Sequence, residues 1–275
     1  MKRITCVALL LLLASPVLAD TAVRTIFLER GAGAGSTPMN VAYHPGFQQY
    51  YGSNGGNPSY GAWVWDRNGN RLQDFAPINI DVRAWNYNPN TGNLEVVSYA
   101  ANTGGSGRGL IQPGLDGSGL LNGGTTTLLA AIPGLIGSQT MPAFDPIRNE
   151  FYSRETSGAV NRASRADGSL QGSIALDLNA VGNPPLTSYA LGYDPAGDFL
   201  VVTSATGNKA YTFSRSGAYL QTWDLDITVP TSYRMGYTNG QLFVFDTARN
   251  GWQGYLIPEP ASLALLALAA LTRRR

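Results

Sequence analysis

Cysteine and histidine each occur once in the 275 residues, and only 13% of the chain is charged. Cys6 lies in an N-terminal apolar run that reads as an export signal, so a mature chain would contain no cysteine. Disulfides, thiol catalysis and cysteine metal sites are then excluded. With His44 as the sole histidine, Ser-His-Asp catalysis has one conceivable route, and zinc would need several carboxylates instead. The formal net charge of +1 owes its sign to Lys2, Arg3, Arg273, Arg274 and Arg275 at the two ends, and the body between them is mildly acidic. Electrostatic capture of nucleic acid therefore has no driving force. Low charge beside 44% hydrophobic residues excludes a disordered polyion, and 33 glycines with 16 prolines speak against a helical bundle.

What is present begins with two terminal addresses. Lys2 and Arg3 precede the apolar run Ile4 to Leu13, and Val17-Leu18-Ala19 supplies a signal-peptidase site. This is too short to span about 30 Å of hydrocarbon and reads as a secretory signal, residues 1–19, cleaved after Ala19. At the other end Pro258-Glu259-Pro260 is followed by an apolar run, Ala261 to Leu271, and then by Thr272, Arg273, Arg274 and Arg275. A helix breaker, an apolar helix and a cationic stop in that order place the body outside and the arginines in the cytoplasm. This tail, residues 258–275, resembles the PEP-CTERM sorting signal. The resemblance implies signal peptidase and an exosortase as partners, an inner-membrane precursor processed near the Pro-Glu-Pro motif, and a final place at the cell surface or in an extracellular matrix. Eleven apolar residues make a helix of only about 16 Å, which suits a transient sorting handle better than a lasting anchor.

Between these addresses an aromatic, one further residue and usually proline recur: Tyr43-His44-Pro45, Tyr87-Asn88-Pro89, Phe144-Asp145-Pro146 and Tyr193-Asp194-Pro195, with a degenerate fifth copy at Tyr237-Thr238-Asn239-Gly240. A β-rich run follows each turn, as in Phe199-Leu200-Val201-Val202. A second strand and turn come in register, with turn glycines Gly69, Gly117, Gly168 and Gly217 and a leucine within three residues. Asn-Gly and Asp-Gly there predict type I′ hairpins and an up-down meander of four strands. Five such units predict an all-β, five-bladed propeller over residues 20–257. The last unit lacks a strand, and Val23 to Leu28 is a strand without a unit, so the N-terminus is expected to close the ring. Gly104 to Gly124 reads as a flexible surface loop, and Gly31 to Ser36 as a linker without the lysine of a phosphate loop.

Candidate chemistry is sparse. His44 occupies the turn position held elsewhere by Asn88, Asp145 and Asp194, so a turn cap is expected. Asp66-Arg67-Asn68-Gly69-Asn70 begins like a calcium loop but continues with Arg71 and Pro77 where glycine and glutamate belong. No cofactor or metal is expected. Trp63 and Trp65 share one strand face and are placed between blades, and Arg67, Arg165 and Arg215 are expected along one rim. Tyr50, Tyr51 and Tyr60 flank the Gly52 to Pro58 loop and are the candidate ligand-binding residues, with rings that could stack on sugars. The resulting expectation is a non-enzymatic surface or matrix module that binds exopolysaccharide or protein. Its rival is an exported carbohydrate-active hydrolase, lyase or lactonase using channel carboxylates such as Asp145 and Asp194.

Overall fold

The computed structural model describes residues 20–257 other than 33, 34, 36, 76 and 106. The signal segment and the tail with Pro258, Glu259, Pro260 and Arg273 to Arg275 lie outside the described residues.

Twenty-one strands form five sheets that follow the sequence repeat. Blade one contains β3 (Thr37–His44), β4 (Gln49–Gly55), β5 (Ala62–Asp66) and β6 (Arg71–Phe75). Blade two contains β7 (Val82–Asn88), β8 (Asn93–Ser98), β9 (Leu110–Leu115) and β10 (Leu121–Leu129). Blade three contains β11 (Ala143–Asp145), β12 (Glu150–Ser153), β13 (Ala159–Ser164) and β14 (Leu170–Ala175). Blade four contains β15 (Gly192–Asp194), β16 (Phe199–Thr203), β17 (Lys209–Ser214) and β18 (Tyr219–Asp224). Blade five contains β19 (Met235–Thr238), β20 (Gln241–Asp246) and β21 (Gly251–Leu256), and β2 (Val23–Glu29) from the N-terminus completes it. Strand β2 runs antiparallel to β21, with Val23 opposite Leu256 and Glu29 opposite Gly251. The expected closure is therefore present. A feature beyond it is β1 (Asp20–Thr21), which adds in parallel to β18 and covers the outer edge of blade four.

Alternation along a strand usually separates a core face from a solvent face. In a propeller both faces of a blade meet neighbours, and all seven residues of β4 are buried. At the closing interface Trp252 meets Trp65 at 5.5 Å and Trp63 at 6.0 Å between ring centroids. The Trp65 and Trp252 indole N–H groups donate to the carbonyls of Glu29 and Met39, so both bury without an orphan donor.

The outer hairpins differ from the expected type I′ form. Asp66 and Asn70 close a three-residue loop in which Gly69 alone among Arg67, Asn68 and Gly69 has positive φ, +87°, and Gly217 repeats this in blade four at +92°. That is a type I turn followed by a left-handed glycine, and the accompanying register shift follows in both hairpins. In blade two the turn is Asp116 to Leu120 and its left-handed glycine is Gly119 rather than Gly117. A type I′ turn does occur in blade five, where Asn239 and Gly240 both have positive φ. The Gly104 to Gly124 stretch is also more ordered than its composition suggests. Only its first part is a loop, and the rest supplies β9 and the start of β10.

Candidate functional site

The innermost strands β3, β7, β11, β15 and β19 surround a central channel with two mouths. At one, the turn mouth, each inner strand leaves the channel through its aromatic repeat turn. A cavity of about 320 Å³ there is walled by Tyr43, Tyr87, Phe144, Tyr193 and Tyr237 with the turn prolines. The sequence repeat thus maps onto a five-membered aromatic ring in space.

Each aromatic is held from behind. Tyr43 packs on Tyr50 at 4.7 Å and Phe144 on Phe151 at 5.3 Å. Tyr87, Tyr193 and Tyr237 reach back to the preceding blade, onto His44, Tyr152 and Phe199 respectively. Polar side chains lace neighbouring inner strands together. Asn40 accepts from the Trp85 amide and donates to its carbonyl, at 2.8 and 2.9 Å, and Thr238 Oγ1 accepts from the Tyr43 amide at 3.0 Å. Tyr43 and Tyr87 are half-buried and their hydroxyls bond to no atom of the described residues, leaving them available to a ligand.

The turn acids are engaged as caps. Asp145, fully buried, accepts from the Ile147 and Arg148 amides, the Arg148 guanidinium and the Tyr152 hydroxyl. Asp194, the one acid lining the cavity, accepts from the amides of Ala196 and Gly197, each at 3.2 Å. His44 does the same work with its ring, Nδ1 accepting from the Gly46 amide at 3.2 Å, while Nε2 lies 3.1 Å from the Gly92 carbonyl. Burial pushes the His44 pKa down, outweighing the hydrogen bonds to the backbone of Gly92 and of His44 itself that raise it, and favours the neutral ring. Asp66 caps its own turn, accepting from the Asn68 and Asn70 amides and the Asn70 side chain. Among the described residues no three His, Cys, Asp or Glu side chains converge as metal ligands.

Two of the three candidate tyrosines are placed out of a ligand's reach. Tyr50 is 1% exposed, its ring between Tyr43 and Phe243, and Tyr51 is fully buried with its hydroxyl donating to the Gly119 carbonyl at 2.7 Å. Consecutive residues point to opposite faces, and here the faces meet blades five and two. Tyr60 is half-buried, its ring over Gly35, where a Cβ would come within 2.6 Å of it. The three do not form one platform. The arginines expected along a rim have separate partners: Arg165 grips the fully buried Glu95 of blade two at 2.7 Å, Arg215 is 3.6 Å from Asp198, and Arg67 reaches Gln48. The signal for the aromatic ring was the repeat itself, whose period places one such residue per blade at equal depth.

No family model matches the sequence, and no curated protein matches it by sequence. Among solved structures the fold is similar to Myxococcus xanthus glutaminyl cyclase, with a TM-score of 0.56 at 10% identity, over 86% of this chain and 97% of that one. A weaker likeness, TM-score 0.40 at 13% identity, links 87% of this chain to 22% of Chaetomium thermophilum Raptor. At such identity the likeness to the cyclase concerns architecture, and the chain is a five-bladed, all-β propeller closed by its own N-terminal strand.

Proposed function

We propose that this propeller is a binding module of the cell surface or extracellular matrix that takes one or two neutral sugar rings of a polysaccharide at the turn mouth. The observation that carries this reading is the ring of repeat aromatics around a cavity of about 320 Å³. Aromatic faces suit the C–H faces of a pyranose, the free hydroxyls of Tyr43 and Tyr87 suit its hydroxyls, and the volume lies at the lower end of the range of about 300–1,000 Å³ for small-molecule sites. The carboxylates that a hydrolase, lyase or lactonase would recruit here, Asp145 and Asp194, are occupied as turn caps. The cyclase likeness, at 10% identity, supports the architecture and no reaction. Export by the 1–19 signal and routing by the Pro258-Glu259-Pro260 tail through an exosortase belong to the same proposal, and both rest on the sequence.

Trp85 lines the cavity and provides a reporter. Titration of the purified protein with neutral oligosaccharides should change its tryptophan emission saturably. Tyr87→Ala should weaken binding about tenfold, the equivalent of losing one aromatic contact of roughly 1–1.5 kcal/mol. No spectral change at millimolar sugar, with the fold intact, would overturn the assignment.

A further inference from the structure

The opposite end of the channel has different chemistry. It is formed by the beginnings of the inner strands and the loops between blades, and a cavity of about 370 Å³ there is lined by Asp81, Arg83, Tyr99, Gln139 and Tyr233 among others. Arg83 sits in the otherwise apolar start of β7 and is 4% exposed. Its Nη1 is paired with Asp81 and donates to the Val82 carbonyl at 3.0 Å, and its Nε reaches Gln139 Oε1 at 3.3 Å. Nη2 donates to no atom of the described residues. A buried guanidinium with an idle edge on a cavity is a ready hydrogen-bond fork.

Gln139 adds to it. Its Oε1 also accepts from the Tyr233 hydroxyl at 2.9 Å, which fixes the amide so that both Nε2 hydrogens are directed away from these two partners, without an acceptor among the described residues. Burial raises the Tyr233 pKa and keeps that phenol a donor. Arg108 approaches the Tyr99 ring at 5.9 Å, Arg83 approaches it at 4.7 Å, and among the described residues the one hydrogen bond of the Arg108 side chain is a long 3.4 Å contact to the Gly104 carbonyl. The single acid of the cavity, Asp81, is engaged by Arg83 and by the Gly56 amide. Arg83 and Asp81 balance each other within the lining, and the exposed Arg108 beside the Tyr99 ring adds one further positive charge at its edge. Strained backbone holds the arrangement: Tyr189, Tyr233 and Arg234 have φ of +67°, +52° and +64°, and Tyr189 stacks on Tyr233 at 5.1 Å. Such conformations in bulky residues are rare and gather at functional sites.

We propose that this mouth binds a carboxylate-bearing sugar, a hexuronate unit, with its carboxylate on Arg83 Nη2 and Gln139 Nε2 and its ring against Tyr99. The Tyr99 and Tyr233 rings that line the cavity beside the donors favour a pyranose over a peptide terminus. The inference rests on the reading of the channel as a saccharide site and adds an acidic specificity at the end opposite the neutral one.

The test is calorimetric titration of the full-length chain with a hexuronate tetrasaccharide, a neutral tetrasaccharide and a tetrapeptide with a free C-terminal carboxylate. The hexuronate should bind, and its affinity should fall severalfold between 50 and 200 mM salt. Gln139→Glu keeps acceptors for Arg83 and Tyr233 but sets a negative charge against the ligand, so affinity should fall by about tenfold or more with the melting temperature unchanged. Arg108→Ala, at an exposed position, should lower it by roughly two- to fivefold. Equal affinity of wild type and Gln139→Glu for the hexuronate overturns the site. Neutral sugar bound at the turn mouth with no hexuronate binding overturns this inference alone, whereas no saccharide binding at all overturns it together with the reading beneath it. Peptide bound as tightly as hexuronate would overturn the sugar assignment.

Discussion

Replacing Gly217 with alanine separates the two demands that the structure makes on an outer-hairpin glycine. The residue needs positive φ, +92°, and it lies against the preceding blade, where a Cβ would come 2.0 Å from the Ala175 carbonyl oxygen and 2.9 Å from its carbon. The adjacent Gly217 carbonyl accepts from the Asp177 amide at 2.8 Å, so moving the turn outward also loosens a bond between blades. Gly182→Ala is the matched control, because Gly182 has φ of +77° and open space around it. Both substitutions stiffen the unfolded chain alike and both carry a left-handed alanine, about 1–2 kcal/mol. Only Gly217→Ala adds overpacking, roughly 1–3 kcal/mol, and a weakened hydrogen bond, about 1 kcal/mol. We therefore expect Gly217→Ala to lose about 3–6 kcal/mol and the control about 1–2 kcal/mol, a large difference against a total stability of roughly 5–15 kcal/mol. Urea unfolding followed by tryptophan emission reads both. Equal losses, within about 0.5 kcal/mol, would refute the idea that these glycines set the distance between blades.

Two other outcomes follow, the first from the structure and the second from the proposed reading of the tail sequence. His44 has a folded pKa below its ordinary 6.5, so the unfolded chain takes up a proton first as pH falls; stability is full above pH 6.5 and declines below it until the folded ring also protonates. His44→Asn, the residue found at the matching turn as Asn88, should keep the cap and remove that part of the pH slope in thermal melts, and an unchanged slope would refute the assignment. Replacing Pro258, Glu259 and Pro260 with alanine should leave the protein in the inner-membrane fraction as an unprocessed precursor. Normal release to the surface in that variant would show that the motif is not the sorting determinant.

The blade count and the closing strand were legible because each rests on a periodic signal. The aromatic turn recurs once per blade, and Val23 to Leu28 is a strand with no unit of its own. The outer turn type was less legible, since Asn-Gly and Asp-Gly serve both type I′ and three-residue hairpins. In blade two, Gly117 and Gly119 both stand near Asp116, and it is the second that adopts positive φ. Tyr50 and Tyr51 looked like ligand contacts because an aromatic pair beside a polar loop reads as exposed. A propeller blade covers both faces, and alternation sends one ring into each interface. The mouth opposite the turns escaped notice because Asp81, Gln139 and Tyr233 come from inter-blade connections, and Tyr99 from the loop between β8 and β9, that carry no repeat. Arg83, a charge inside the apolar run Val82 to Trp85, was the available cue.

The most direct measurement of the central claim is co-sedimentation of the purified protein with the extracellular polysaccharide of the organism that makes it. The account predicts saturable binding that is reduced in Tyr87→Ala and unaffected by Tyr60→Ala. Protein that stays in the supernatant at high polymer concentration would contradict it.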